Sequence, residues 1–230
     1  MYVPAHFSMT PAQIDDVLRR MTVANLVTAH EGGLQATLLP FLYRPGADGS
    51  LGALVGHVAR NNRQWSEPRL GDALAIVGAN DHYVSPRWRT AGDAAGSVVP
   101  TWNYVTVHAY GDLVAHDDLD WTREVVERLS AQHEDHRLHP WTSEDLLPGQ
   151  LDKMMRAIVG VELRISRVEA KAKLSQNVSV PDVEGIIAGL RTDGDEVSAD
   201  LLTEVSLPAA QRRAEVLAGV AAGHARRTGG

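Results

Sequence analysis

The chain of 230 residues contains no cysteine. Disulfide bonds, iron–sulfur clusters and thiolate zinc sites are therefore excluded, and a reducing compartment is permitted. No apolar stretch reaches the roughly 20 residues that a membrane-spanning helix needs. The first residues show neither the basic region nor the apolar region of a signal peptide. These absences predict a cytoplasmic protein without a membrane segment.

Positive charge is also scarce. The formal net charge is −7 at pH 7, and the lysines and arginines form no basic block. Domains that bind nucleic acids usually present a basic face or stripe. The sequence has neither a helix-turn-helix pattern nor zinc-finger spacing, so direct DNA binding is disfavoured.

Hydrophobic periodicity predicts six strands and several helices. The strands are expected over residues 25–29, 34–43, 51–55, 73–77, 104–110 and 159–165. Helices are expected after the capping signal Thr10-Pro11, over residues 60–65, 118–133 and 151–155, after Pro181, and as two pieces within 196–227 broken near Pro208. This order predicts an α+β protein, with a mostly antiparallel sheet or barrel and helices at its ends.

Two segments rich in hydrogen-bond donors lie at predicted strand ends. Residues 56–61 contain Arg60 beside an expected helix start, where free N–H groups and a guanidinium suit a phosphate. Residues 171–177 combine two lysines, a serine and two amides, a set that suits an anion or a polar heterocycle. The alternative for residues 56–61 is a solvated arginine and a histidine that caps a strand.

Two further segments are rich in aromatic residues. In residues 99–104, Trp102 and Tyr104 flank Asn103, so a flat ring could be covered and hydrogen-bonded there. Residues 81–88 predict a loop that either closes over a site or forms a rigid turn. The alternative for Trp102 and Tyr104 is packing in a core or an interface, and in the rigid turn Tyr83 and Trp88 would pack locally.

Metal binding and nucleophilic catalysis have little support. His133, His136 and His139 have the spacing of metal ligands, but a solvated helix end explains them equally well. The sequence lacks a G-x-S-x-G elbow, a P-loop and a G-x-G-x-x-G fingerprint. No metal site and no catalytic residue is therefore predicted.

Taken together, these segments resemble the PaiB-like proteins, which are described as FMN-binding negative transcriptional regulators. The resemblance extends over about residues 1–191. It rests on Met1–Phe7, Ala36–Phe41, Gly56–Asn61 with Gln64-Trp65, His82–Pro86 with Trp88, Val99–Tyr104 with Val107-His108, Gly160–Glu162, Lys171–Asn177 and Gly185–Leu190.

The resemblance implies a split β-barrel related to the pyridoxamine phosphate oxidase type, with flanking helices. It also implies a bacterial homodimer with FMN at the subunit interface. The expected FMN-binding domain covers residues 1–191, and residues 192–230 are expected to form a C-terminal helical extension with a disordered tip.

The same resemblance implies a set of FMN-binding residues. Arg60 and Asn61 match the phosphate position, and Thr37 and Leu38 match the strand along the flavin edge. The remaining candidates are His57 and Asn103 for ring contacts, and Lys173, Ser175 and Gln176 from one subunit or the other. Leu38 stands where the family pattern has histidine, and Asn62-Arg63 stands where Asn-Pro is usual.

Three functions remain open at this point. The first is an FMN-binding negative transcriptional regulator that acts indirectly. The second is an FMN-dependent oxidoreductase of the pyridoxamine phosphate oxidase type, in which the protein orients the flavin. The third is a haem-binding split-barrel protein with His57, His82 or His108 as iron ligand.

Overall fold

Six antiparallel strands form a closed barrel in the computed structural model, which describes residues 1–47, 50–90 and 98–228. The neighbours around the barrel follow the order β1-β2-β3-β6-β5-β4. The strands are β1 (Val23–His30), β2 (Gly33–Arg44), β3 (Ala53–Ala59), β4 (Ala73–Val84), β5 (Thr101–His116) and β6 (Ile158–Lys173). The helices are α1 (Pro11–Arg20), α2 (Leu119–Glu134), α3 (Gln150–Met155), α4 (Val180–Thr192) and α5 (Glu196–Thr228).

This architecture confirms the predicted fold class, a mostly antiparallel split barrel with flanking helices and a C-terminal helix. The chain divides into two compact units. The first unit comprises residues 1, 10–78 and 107–170, and the second comprises residues 2–9, 79–106 and 171–230. The predicted division at residue 191 stays a prediction, and Gly229 and Gly230 of the expected disordered tip lie outside the described residues.

In the first unit, β2 leaves its neighbour β3 part-way along. β1 pairs with β2 from Val23↔Pro40 to His30↔Gly33, whereas β2 pairs with β3 only from Phe41↔Gly56 to Arg44↔Ala53. Beyond Gly56, the described residues of β3 pair with β6 alone. A Cβ atom at Gly56 would lie 2.6 Å from the carbonyl oxygen of Pro40, so this position requires glycine.

Two sequence-based predictions of helices are wrong. Residues 60–65 form turns, because Asn62 Oδ1 accepts from Gln64 N and Trp65 Nε1 donates to the carbonyl of Arg60. Such bonds from side chains to the backbone compete with helical ones. α5 runs unbroken through Pro208. Burial of Leu202, Ser206 and Ala210 on one helix face offsets the cost of the proline, about 3 kcal/mol.

The core of the first unit lies along the inward-facing strand positions. Leu26, Phe41, Leu54, Val161 and Leu163 are each at most 1% exposed. The alternation predicted for residues 159–165 is confirmed, because every second residue from Val159 to Ile165 is buried. Helix α2 packs on the opposite face of these strands, where Val125 and Leu129 form a second cluster with Leu42 and Val55.

In the second unit, Trp88 lies on a glycine-lined face of α4. A Cβ atom at Gly189 would lie 2.3 to 2.5 Å from three atoms of the Trp88 indole, and one at Gly185 would lie 1.9 Å from the Trp88 carbonyl oxygen. The two glycines therefore let the short 3-10 turn Pro86–Trp88 approach the helix. This contact explains the Gly-x-x-x-Gly spacing of the segment 185–190.

We predict that Gly189→Ala lowers the free energy of unfolding by about 1–3 kcal/mol, because the added methyl group overpacks the Trp88 contact. Urea unfolding measures this value. Gly219→Ala in α5 is the matched control, since nothing lies within 4 Å of a Cβ atom there. The control is expected to gain about 0.4–1 kcal/mol. Equal effects of the two substitutions would contradict the proposed packing role.

Candidate functional site

The nine residues that the sequence predicts as FMN ligands fall into two groups, one in each unit. Thr37, Leu38, His57, Arg60 and Asn61 belong to the first unit. Asn103, Lys173, Ser175 and Gln176 belong to the second unit.

In the first unit, the turn after β3 is joined to β2 by a buried glutamine. Gln64 is 1% exposed, and its Nε2 donates to Leu26 O at 3.1 Å, Thr28 Oγ1 at 3.0 Å and Gln35 O at 3.2 Å. Its Oε1 accepts from Thr37 Oγ1. Thr37 Oγ1 also accepts from Asn62 Nδ2 at 3.0 Å. The turn is thus fixed against the stretch of β2 that has left β3.

Sequence reasoning overlooked the roles of Gln64 and Asn62. A polar residue inside a predicted helix reads as solvent-exposed, and Gln64 is fully buried instead. The available signal was the pair Gln64-Trp65, which the family resemblance includes but to which no role was given.

Arg60 is largely engaged by the protein itself. Its Nε donates to Arg156 O at 2.7 Å, and its Nη2 donates to Ile158 O at 3.0 Å and to Asp117 Oδ1 at 2.7 Å. The bond to Asp117 raises the pKa of Arg60 and lowers the pKa of Asp117. Nη1 is the nitrogen for which the structure gives no partner among the described residues.

Asn61 and Leu38 face solvent. The side chain of Asn61 is exposed and forms no hydrogen bond with a described residue. Leu38 is 61% exposed on β2, one residue after Thr37. The structure therefore brings Thr37 against the turn that carries Arg60 and Asn61, and leaves Asn61 and Leu38 free for a ligand.

His57 on β3 has a buried Nδ1 without a hydrogen-bond partner among the described residues. Burial lowers the pKa of His57, so the imidazole is neutral at pH 7. An unpaired buried polar atom costs about 1–3 kcal/mol. This atom is thus one observation in the first unit that fits a bound polar group.

The three histidines considered as haem ligands have different environments. His82 is 5% exposed, and both of its ring nitrogens are bonded to side-chain amides, Nε2 to Asn103 Nδ2 at 3.2 Å and Nδ1 to Asn80 Oδ1 at 3.2 Å. His108, like His57, has a buried Nδ1 without a described partner. Burial lowers the pKa of both His82 and His108. His82 is therefore committed to its amide partners.

In the second unit, Asn103 and Ser175 belong to one buried chain of hydrogen bonds. Ser175 Oγ donates to Asn103 Oδ1 at 3.0 Å, and the chain continues through His82 to Asn80, whose Nδ2 donates to Ser198 Oγ at 3.2 Å. Asn80 and Ser198 were not predicted, because no sequence motif links two residues so far apart in the chain.

The segment after β6 is a tight turn in which Ser175 has a positive φ of 64°. Gln176 holds this turn, since its Nε2 donates to Ala172 O at 2.7 Å and its Oε1 accepts from Leu174 N at 2.9 Å. Left-handed backbone at a residue other than glycine is strained and occurs often at functional sites. The amide of Gln176 therefore shapes the turn that presents Ser175.

Lys173 lines a pocket of about 280 Å³ together with Asn103 and Ser175. Its Nζ donates to Thr101 Oγ1 at 2.7 Å and to the carbonyl of Trp102. Burial lowers the pKa of Lys173, and the charge of Lys171 lowers it further. Three of the four predicted residues of the second unit thus meet at one pocket.

The described residues contain no group of three or more His, Asp or Glu side chains that could hold a metal ion. His133, His136 and His139 therefore do not form such a group. None of the described helices is long and apolar enough to cross a membrane.

Comparison with known proteins identifies the family. Residues 1–167 match the family described as "Putative FMN-binding domain". The chain belongs to this family. Its cofactor is accordingly FMN.

Two relatives align over most of the chain. The protease synthase and sporulation protein PAI 2 of Bacillus subtilis (strain 168) is 29% identical over 197 residues, which cover 84% of this chain and 90% of that protein. An uncharacterized protein of Emericella nidulans is 29% identical over an alignment 243 residues long, and this alignment covers 89% of this chain and 97% of that protein.

Solved structures with a similar fold are more distant. The flavocytochrome Anf3 from Azotobacter vinelandii has a TM-score of 0.49 and 15% identity, over 71% of this chain and 67% of that one. The FAD and heme binding protein from Mycobacterium smegmatis has a TM-score of 0.48 and 18% identity, over 72% of each chain. Neither likeness is close enough to support a functional argument.

The described residues of the first unit fit FMN. The edge of β2 from Gly33 to Pro40 has no β3 partner, so those of its backbone groups that Gln64 does not bond can meet a flavin edge. Asn61 and Leu38 are exposed, and His57 carries an unpaired buried nitrogen. Nε and Nη2 of Arg60 are already bonded within the protein, so this arginine offers FMN its Nη1.

Proposed function

We propose that FMN lies along the stretch of β2 that β3 does not cover, beside Thr37 and Leu38, with its phosphate at the turn 60–63. Two observations support this proposal: β2 and β3 diverge at Gly56, and hydrogen bonds of Gln64 hold the turn against β2. Because these bonds fix β2 and the turn before FMN arrives, the site is preorganised, and preorganisation lowers the free-energy cost of binding.

The proposed phosphate contacts come from Asn61 and the free Nη1 of Arg60. The side-chain amide of Asn61 has no partner to lose when it donates to a phosphate oxygen. Asp117 lies 2.7 Å from Nη2 of Arg60, and its negative charge offsets part of the positive charge of the guanidinium. Arg60 therefore neutralises only part of the negative charge of the phosphate. His57 supplies a further polar contact through its unpaired Nδ1.

We predict that Asn61→Ala weakens FMN binding about tenfold, the loss expected for one hydrogen bond to a charged group. Arg60→Ala weakens binding to a similar extent through loss of Nη1. Titration of the protein into FMN, followed by quenching of flavin fluorescence, measures both constants. Arg20→Ala is the control, because Arg20 is exposed and pairs with Asp16. If both site variants bind FMN with affinities within twofold of the unaltered protein, the placement of the phosphate at this turn is contradicted.

The functional form is proposed to be a homodimer with FMN at the interface. Leu34, Ala36 and Leu38 alternate along one face of β2 and are all exposed, Leu34 to 76% and Leu38 to 61%. Such a row of apolar side chains on a strand is unfavourable in water, and contiguous exposed apolar patches often mark interfaces. A second copy of the chain covers this row in the proposed dimer.

Sedimentation equilibrium is expected to show a dimer, and Leu38→Lys is expected to shift the equilibrium to monomer, because a charge would then be buried in the interface. Leu138→Lys is the matched control, since Leu138 is 90% exposed in the loop after α2. A monomer for the unaltered chain, or an unchanged dimer for Leu38→Lys, would contradict the proposed interface.

The proposed role of the FMN-loaded protein is negative regulation of gene expression without direct reading of DNA. The resemblance to the PaiB-like proteins supports the regulatory role, and the state of the arginines argues against direct reading of DNA. Most of those described, including Arg44, Arg60, Arg69 and Arg123, are held in ion pairs with carboxylates. Because the chain is also acidic overall, little free positive charge remains for phosphates of DNA.

A flavin-dependent oxidoreductase is the second candidate. Bound FMN supplies electron transfer, and the protein supplies orientation and electrostatics. The observation that favours this candidate is the pocket of the second unit, which has room for a small substrate. The regulatory and enzymatic candidates are compatible if the flavin senses a metabolite that it also oxidises or reduces.

Deletion of the gene is expected to raise transcript levels of its targets, and the unaltered gene, but not the Asn61→Ala variant, is expected to restore repression. The purified holoprotein should show no salt-sensitive retention of the affected promoter DNA at low salt. Unchanged transcripts after deletion would refute the regulatory role. Oxidation of NAD(P)H by the holoprotein would then favour the enzyme, and its absence would disfavour both candidates.

A further inference from the structure

Two lysines of the second unit are partly or wholly buried without a counter-ion. Lys171 is 9% exposed, and its Nζ lies 5.3 Å from the ring centroid of Tyr104 and 5.9 Å from that of Phe7. Lys173 Nζ lies 5.9 Å from the Tyr104 centroid. Neither ammonium forms an ion pair with any carboxylate in the described ranges. Buried charges in proteins are usually paired, so two unpaired cations in an acidic chain call for an anion.

The pocket beside Lys173 has the lining that an organic anion needs. Its polar groups include Lys173, Ser175 and Asn103. Arg89 also lines it, and the Nε of Arg89 is buried without a partner among the described residues, while its Nη2 contacts Asp182 at 3.2 Å. The apolar part of the wall is formed by Phe7, Val84, Val98, Val99 and Val178.

We propose that this pocket binds a small monocarboxylate with an apolar body, separately from FMN. The carboxylate meets Lys173, and the apolar body lies against the valines. Lys173 has three N–H donors, of which two are bonded to Thr101 Oγ1 and the carbonyl of Trp102. The third is left for the ligand, and these two fixed partners hold the ammonium in place.

Ser175 provides the second contact to the carboxylate. Its hydroxyl is held by Asn103, Asn103 is held by His82, and His82 is held in turn by Asn80. The direction of every hydrogen bond in this chain can reverse. The side-chain amides of Asn103 and Asn80 then rotate by about 180°, and His82 changes its tautomer. In the reversed direction Asn103 donates to Ser175, and the hydroxyl proton of Ser175 is free to point at an acceptor in the pocket.

The pocket has room for a small organic anion. A volume of about 280 Å³ accommodates a ligand such as benzoate. The proposal gives Lys173 and Ser175 to this ligand and therefore differs from the FMN role that the family resemblance assigns to Lys173, Ser175 and Gln176.

Isothermal titration of the FMN-loaded protein with benzoate tests the proposal. Benzoate is expected to bind with a dissociation constant of about 1 mM or tighter, within the range for so small a ligand. Benzamide, its neutral counterpart of similar shape, is expected to bind about tenfold more weakly or not at all. No saturable binding of benzoate, or equal binding of benzamide, overturns the proposal.

Lys173→Met keeps the length and apolar character of the side chain and removes its charge. This variant is expected to bind benzoate about tenfold more weakly, with the FMN affinity unchanged. Lys153→Met is the matched control, because Lys153 is an exposed lysine of α3, and it should bind benzoate as the unaltered protein does. A parallel loss of FMN affinity in Lys173→Met would mean that the pocket belongs to the flavin site, which overturns the proposal.

Two further measurements keep the result decisive if Lys173→Met fails to fold. Ser175→Ala retains the backbone and loses only the hydroxyl, and it is expected to weaken benzoate binding severalfold. Inorganic phosphate is expected to compete poorly, since it has no apolar body. Unchanged benzoate binding by Ser175→Ala, or displacement of benzoate by phosphate at equal concentration, contradicts the proposed pocket chemistry.

Discussion

The buried amide of Gln64 is the interaction on which the first unit depends most. This single side chain joins the turn after β3 to β1 and to β2, and every one of its hydrogen-bonding atoms is satisfied. Loss of such a network would leave buried carbonyl and hydroxyl groups unpaired, at about 1–3 kcal/mol for each. Two further bonds, from Asn62 Nδ2 to Thr37 Oγ1 and from Gln35 Nε2 to Glu67 Oε2, help it to fix the turn against the detached part of β2.

The proposed FMN site depends on the place where β2 leaves β3. A barrel whose strands pair along their full length has no free backbone edge, whereas β2 from Gly33 to Pro40 has no β3 partner and is met there by Gln64 at the carbonyl of Gln35. Gly56 sets the point of divergence, because any larger residue would meet the carbonyl of Pro40. Family membership supplies the cofactor, and the proposed site places it beside the backbone of β2, Asn61 and His57.

The second unit contains a buried chain of polar side chains. Ser175, Asn103, His82, Asn80 and Ser198 satisfy one another in a chain, while Lys171 and Lys173 remain without counter-ions among the described residues. Aromatic rings offset part of the cost of burying the two ammonium groups. A site with satisfied amides and unsatisfied cations is suited to a ligand that brings negative charge.

The sequence predicted the existence and order of all six strands, but not their lengths. β4 was expected to end at Val77 and continues to Val84, because Asn80 and His82 are polar residues that the fold satisfies internally. β6 likewise continues from residue 165 to Lys173 through a polar stretch. Hydrophobic periodicity predicts a strand only where one face of the strand is apolar. Strand segments with buried polar residues are therefore not predicted by it.

The candidate site was predictable to a similar extent. Thr37, Asn61 and His57 could be named from the family resemblance, since motifs preserve residue types. The engagement of Arg60 with Asp117 and two carbonyls could not be foreseen, because those partners lie 57 to 98 positions away along the chain. The same holds for the Ser175 network, whose links span as many as 118 positions.

A crystal structure of the FMN-loaded protein tests the central claim most directly. The account predicts the isoalloxazine edge beside the backbone of Thr37 and Leu38, with the phosphate within hydrogen-bonding distance of the side chain of Asn61. A flavin bound at the pocket of Lys173 and Ser175, with the uncovered stretch of β2 free of ligand, would contradict it.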